Sequence, residues 1–183
     1  MNELHNLEEA IKYKIRSAHH HKIASEKSYT NTTSNYDKLF ISGVEFTAMM
    51  TTLHSSLDIL AQWLNLKYKL NYKSSKVTFN KIIEKITDLK VQNELVKLKN
   101  TATYLNDFCN YIKHRNIVKV AQVSYFLSPA QPASFHDIES FKKNKHSYPS
   151  KKLSVEREKQ FNNIYYALTT ITDIHIPLIA YDN

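Results

Sequence analysis

Glycine is nearly absent from this chain: Gly43 is the only one among 183 residues, and there are four prolines. Average composition would give roughly 13 glycines and about 9 prolines at this length. Tight hairpins, phosphate-binding loops and doubly wound sheets all need glycine where the backbone turns sharply. The composition therefore disfavours the common nucleotide-loop enzymes and favours a fold built from helices.

Cysteine is equally scarce, since Cys109 is the only one. One cysteine forms no disulfide framework, which predicts a reducing compartment and a buried, unreactive thiol. No apolar run reaches the length of a membrane span, and Met1–His5 does not read as the start of a signal peptide. We therefore predict a cytoplasmic protein without a membrane partner.

The charge of the chain is strongly positive, with a formal net charge of +8 at pH 7 and a pI of about 9.4. This excess favours binding to nucleic acid or to another anionic surface. The alternative is a solvated, lysine-rich surface, because the positive residues are spread along the chain. Both interpretations stay open at this point, and the length predicts one domain, residues 1–183.

Apolar residues recur at helical spacing in five segments: about 3–28, 36–70, 79–89, 91–116, and from Ser154 as N-cap to about Pro177. Two segments carry matched apolar seams: Phe46, Met50, Leu53, Leu57, Leu60 and Leu64 in the second, and Val91, Leu95, Leu98, Ala102, Leu105, Cys109 and Ile112 in the fourth. Matched seams predict a near-antiparallel helix pair. A close helix crossing would explain Gly43. The sequence thus predicts an all-α protein.

An insertion of different character, about residues 117–153, separates the last two helices. Its first part predicts an extended segment and one arm of a small hairpin, through Val118, Val120, Val123 and Tyr125. Its later part is the most basic of the chain, with Lys142, Lys143, Lys145, Lys151 and Lys152 interleaved with Phe135, Phe141 and Tyr148. This pattern is typical of a nucleic-acid-binding loop, and a mobile surface insertion is the alternative.

The densest polar cluster of the chain, Asn110–Asn116, lies at the end of the fourth predicted helix. Asp107, Asn110 and His114 are three and four residues apart, so they share one helix face, roughly opposite the apolar seam. We therefore expect His114 to be solvated or to face a partner chain. Arg115 flanks the seam, where its stem can pack while the guanidinium reaches outward.

His54 and Asp58 form a second candidate pair, four residues apart on the second helix. A carboxylate there would orient the imidazole and raise its pKa, as a general base or a phosphate-binding histidine requires. The simpler interpretation is a helix-surface pair. The consecutive residues His19–His21 point in three directions, about 100° apart, and do not converge on one ion. We predict no metal site and no cofactor.

Two segments together resemble one protein family. Residues 53–62 (Leu-His-Ser-Ser-Leu-Asp-Ile-Leu-Ala-Gln) resemble the His-x-x-Leu-Asp-x-Leu-Ala signature of a set of bacterial helical proteins. Residues 108–115 (Phe-Cys-Asn-Tyr-Ile-Lys-His-Arg) resemble their Asn-x-x-Lys-His-Arg ending. Over about residues 40 to 120 the chain is similar to the HEPN superfamily (higher eukaryotes and prokaryotes nucleotide-binding). The resemblance implies a four- to five-helix up-and-down bundle, often a homodimer, in toxin–antitoxin, antiphage or RNA-processing systems.

Catalytic members of that superfamily are metal-independent ribonucleases with an Arg-x(4–6)-His motif. Their Arg holds the scissile phosphate and their His transfers protons at the 2′-hydroxyl. Here His114 precedes Arg115, and the residues four to seven positions beyond Arg115 are Lys119, Val120, Ala121 and Gln122. Only Arg115 and Asn116 match the start of the motif, so the resemblance favours a divergent or non-catalytic member.

Three functions are compatible with these patterns. The first is an RNA-binding HEPN-like protein in stress or phage defence, whose binding residues are Asn110, Lys113, Asn116, His54, Asp58, Lys142, Lys143 and Lys145. The second is a metal-independent ribonuclease with His114 and Arg115 as catalytic residues. The third is a non-enzymatic interaction or scaffold protein. The expected partners are RNA, a second copy of the chain, and an antitoxin or defence-system protein.

Overall fold

The fold is mostly helical, with a small antiparallel sheet before the last helix. The computed structural model describes residues 2–31, 34–114, 117–125, 133–143 and 145–178. The helices in these ranges are α1 (Glu3–Asn31), α2 (Asn35–Lys67), α3 (Phe79–Lys85), α4 (Leu89–Thr101), α5 (Thr103–Lys113) and α6 (Leu153–Thr172). The strands are β1 (Val120–Tyr125), β2 (Ala133–Ile138), β3 (Phe141–Lys143), β4 (His146–Tyr148) and β5 (Lys151–Lys152). No helix in these ranges is long and apolar enough to cross a membrane.

The two longest helices, α1 and α2, form an antiparallel hairpin. His21 Nδ1 lies 2.7 Å from Glu45 Oε2, and Trp63 Nε1 donates to Glu8 Oε1 at 3.2 Å. The partners of successive α2 residues therefore lie progressively earlier in α1, as expected for two antiparallel helices. The apolar seam predicted for α2 is buried along its whole length. Its most extensive helix contact is with α1, whereas the sequence pattern predicted the 91–116 segment as its partner.

The predicted helix over 91–116 is two helices, α4 and α5, with a break at Ala102 (φ −81°, ψ 0°). Thr101 and Thr103 flank the break, and their hydroxyls donate to backbone carbonyls of the preceding turn. Such bonds bend helices because they compete with the regular backbone pattern. The helix packing also divides here, since α4 packs against α6 and α5 packs against α2. Helix α5 ends at Lys113, three residues before the predicted end.

The predicted extended segment is confirmed as strand β1. It pairs antiparallel with β2, which pairs in turn with β5, while β3 and β4 form a separate hairpin. Strand β1 lies against α2, and a Cβ on Gly43 would be 3.3 Å from Val120 Cγ2. The glycine therefore admits a crossing strand, and the expectation of a helix crossing is wrong. Pro129 and Pro132, which a regular strand would not accommodate, fall in the segment between β1 and β2 that lies outside the described residues.

Helix α6 follows β5 directly. Its N-cap is Lys152, without a side-chain cap, so the prediction of Ser154 is wrong by two residues. It ends at Thr172, where Asp173 takes a left-handed conformation (φ 57°), before the predicted stop at Pro177. Its apolar face is buried at Phe161, Ile164, Leu168 and Ile171, and packs against α1, α2 and α4.

Candidate functional site

The β3–β4 hairpin packs on α5 through aromatic rings. The ring centroid of Phe141 lies 5.6 Å from that of Tyr104, 5.9 Å from that of Phe108 and 5.2 Å from that of Tyr111. Tyr148 stacks on Phe141 from the partner strand at 4.7 Å. Since aromatic pairs at these spacings are favourable beyond their buried area, the hairpin has a defined seat on the helix.

Asp107 is the polar anchor of this seat. Its residue is 8% exposed, and its Oδ2 accepts a 2.6 Å hydrogen bond from the Tyr148 hydroxyl. The same oxygen lies 2.6 Å from Nδ1 of His146. We expected the face of Asp107 to be open to solvent or to a partner chain. That expectation is wrong at Asp107, because the hairpin of the same chain covers it.

The hairpin register decides which lysines face α5. Phe141 pairs with Tyr148 and Lys143 pairs with His146, while Lys142 pairs with Ser147. Residues directly opposite in an antiparallel pair point to the same face, and successive residues alternate. Lys143 therefore shares the α5-facing side with His146. Lys142 points outward, and Lys145 lies exposed at the turn.

The end of α5 continues this surface. Asn110 lies one turn beyond Asp107, and Asn110, Lys113 and His114 are all exposed. The expectation of an outward-facing His114 is confirmed. Arg115 and Asn116 lie outside the described residues, so their predicted roles stay predictions.

His54 lies on α2 within electrostatic range of Lys113. Burial lowers its pKa below the usual histidine value, and the charge of Lys113 lowers that pKa further. Asp58 opposes this shift but does not overcome it. The expected rise in the pKa of His54 is therefore wrong in sign. The neutral imidazole is favoured, with Lys113 close by.

Cys109 lies on the buried side of α5. Its Sγ contacts the carbonyl oxygen of Met50 at 3.5 Å, and burial raises the pKa of the thiol to about 12. The thiol is therefore protonated at neutral pH, as we expected of a structural cysteine.

The three consecutive histidines of α1 diverge, as predicted. His19 packs its ring 5.4 Å from that of Phe161, while His21 bonds to Glu45. In the part of the chain that the structure describes, no group of three or more His, Cys, Asp or Glu side chains is arranged to hold a metal ion.

The structure thus places the hairpin that carries Lys142, Lys143 and Lys145 on α5, the helix whose end carries Asn110, Lys113 and His114. The sequence analysis did not identify His146 as a site residue. The sequence does contain a pattern that predicts its hairpin, because residues 141–143 and 146–148 are two short runs separated by Asn144 and Lys145, a polar pair that suits a hairpin turn.

Comparison of the chain with protein-family models, with curated proteins and with solved structures finds no match. The resemblance to the HEPN superfamily therefore depends on the two short motifs alone.

Proposed function

We propose that this protein binds single-stranded RNA through the surface formed by α5 and the β3–β4 hairpin. The observation that carries the proposal is the Asp107 anchor. Because Asp107 bonds to both His146 and Tyr148, the hairpin that carries the lysines is held on α5, which is exposed further along at Asn110 and Lys113. We call the set Asn110, Lys113, His114, Lys142, Lys143 and Lys145 the basic surface.

The charge of the basic surface suits a polyanion. Four lysines stand on it, and the buried carboxylate of Asp107 under the hairpin is already bonded to His146 and Tyr148. Glu139, just before β3, is exposed and is the acidic residue nearest to these lysines in the insertion sequence. The exposed Asn110 side chain, three residues from Lys113, favours single strands, whose bases are free to form hydrogen bonds.

We further propose that the chain is a divergent HEPN-like protein, acting as a homodimer in stress or phage defence with an antitoxin or defence-system partner. The mostly helical fold is compatible with this, and the two sequence motifs support it. The His54–Asp58 motif on α2 and the Lys113–His114 motif on α5 lie close enough for Lys113 to affect the pKa of His54.

The test is fluorescence anisotropy with a labelled single-stranded RNA across a salt series. Four phosphate contacts predict a slope of log affinity against log salt of about −3, at about −0.7 for each contact. The triple variant Lys142→Gln, Lys143→Gln, Lys145→Gln should weaken binding and reduce this slope by about 2.

A matched control neutralises three exposed lysines elsewhere, with Lys73→Gln, Lys85→Gln and Lys90→Gln. It removes the same charge but leaves the basic surface intact, so its affinity should stay close to that of the wild type. Equal losses in the two triple variants would mean that net charge alone attracts RNA. Absence of RNA binding by the wild type at low salt would contradict the proposal.

A further inference from the structure

One ring nitrogen of His146 is hydrogen-bonded within the protein, and the other faces solvent. Its Nδ1 lies 2.6 Å from Asp107 Oδ2, which also accepts the Tyr148 hydroxyl. An ionised carboxylate only accepts hydrogen bonds, so Nδ1 carries a proton. The side chain of His146 is 53% exposed, whereas that of Asp107 is 11% exposed. Nε2 is therefore the nitrogen that is available to a ligand.

We propose that Nε2 of His146 and Nζ of Lys143 form a binding site for a phosphate group, with Asp107 as the positioning residue. The proposal rests on RNA binding by the basic surface and names the point where one backbone phosphate is held. Lys143 stands directly opposite His146 on the same side of the hairpin. Asn110, one turn beyond Asp107, adds an amide donor at the edge of the site.

The site uses the imidazolium form of His146. In that form Nε2 donates a hydrogen bond to a phosphate oxygen, while Asp107 accepts the proton on Nδ1 and balances the charge of the ring. Lys143 supplies a second cationic donor from the opposite strand.

The experiment measures RNA affinity at one fixed pH and salt concentration, using the same labelled single-stranded RNA. His146→Gln keeps a polar side chain but removes the cationic Nε2 donor, so it should bind about tenfold more weakly than the wild type, as expected for the loss of one charge-assisted hydrogen bond. His175→Gln changes an exposed histidine beyond α6 and should keep the affinity of the wild type.

Tyr148→Phe tests whether His146 binds phosphate or only attaches the hairpin to α5. It removes one bond to Asp107 but keeps His146, so the RNA affinity should stay close to that of the wild type. If Tyr148→Phe weakens binding as much as His146→Gln does, or if His146→Gln binds RNA as tightly as the wild type, the assignment of the site is overturned.

A second probe makes the site testable without RNA. Inorganic phosphate added at pH 6 should shift the Nε2 resonance of His146 in ¹⁵N spectra of the full chain, with chloride at equal ionic strength as the control. If RNA does not bind but phosphate shifts Nε2, the proposed function fails and the site stands. If RNA does not bind and phosphate leaves Nε2 unchanged, both fail.

Discussion

The hydroxyl of Tyr148 donates a 2.6 Å hydrogen bond to Oδ2 of Asp107, although the two residues are 41 positions apart in sequence. This bond connects β4 to α5 and fixes where the hairpin stands. The bond lies beside a cluster of packed rings, so solvent competes with it only weakly.

Asp107→Ala should therefore destabilise the fold, because it leaves the Tyr148 hydroxyl and His146 without their acceptor. We expect a loss of about 1–3 kcal/mol in the free energy of unfolding, which lowers Tm by several degrees. Thermal unfolding measures the loss, and hydrogen exchange should show that residues 141–148 lose protection first. Asn110→Ala, on the same helix face but exposed, is the control and should change Tm little. Equal protection in Asp107→Ala and the wild type would contradict the anchoring role.

Alkaline pH should weaken the fold through two tyrosines. Burial raises the pKa of Tyr148, helped by its bond to Asp107, and burial raises that of Tyr104, helped by Glu156. The folded state thus favours the neutral phenols. Their contribution is fully present below pH of about 10 and is lost as pH rises above that value. The free energy of unfolding should fall less between pH 9 and pH 11 in Tyr148→Phe than in the wild type. An equal fall in both proteins would contradict the assignment.

Acid pH should act through His54. Its pKa is lowered by burial and then by Lys113, so the folded state favours the neutral ring. The associated stability is present above pH of about 6.5 and is lost as pH falls through the lowered pKa. Lys113→Gln should raise the pKa of His54, as measured by NMR titration of the ring protons. Lys90→Gln removes the same charge from α4 and should leave this titration unchanged.

Cys109 should not react with thiol reagents in the native protein, because burial raises the pKa of its thiol to about 12. Labelling with a chromogenic disulfide should be slow and should accelerate with denaturant as the chain unfolds. The temperature dependence of the labelling rate should follow that of unfolding. Rapid stoichiometric labelling under native conditions would show that Cys109 is accessible.

Gly43 and Val120 should be energetically coupled. A Cβ at Gly43 would lie 3.3 Å from Val120 Cγ2, which is tight. Alanine is about 1 kcal/mol more favourable than glycine inside a helix, so the contact opposes this gain in the wild type. Gly43→Ala should therefore stabilise the Val120→Ala variant more than it stabilises the wild type. Denaturant unfolding of all four proteins gives the coupling energy, and a value of zero would contradict the close approach.

The helix-rich fold was predictable because apolar spacing reports directly on buried helix faces. Leu95, Leu98 and Leu105 are buried as their spacing predicts. The break at Ala102 was harder to predict from the sequence. Threonines at positions 101 and 103 are compatible with an uninterrupted helix, and the bend depends on the packing of α4 and α5 against different helices.

The candidate site was only partly predictable for a different physical reason. Helical spacing correctly groups Asp107 with Asn110 on one face. It carries no information about what covers that face, because His146 lies 39 positions away on another element. The sign of the pKa shift at His54 was missed for the same reason, since burial and Lys113 outweigh the local Asp58.

Because the helix is broken at Ala102, α4 and α5 can each be rotated differently about their own axes. In one straight helix, each side chain from residue 89 to residue 113 would point about 100° around the axis from the one before it, so the directions of all of them would be fixed together. With the break, α4 turns its apolar stripe to α6, while α5 separately turns Cys109 inward and Asp107 towards the hairpin. Inserting one residue into α5 between the break and Asp107 would swing that carboxylate around the helix axis and away from β4. The length of this short stretch therefore helps to keep the hairpin in register with the rest of the molecule.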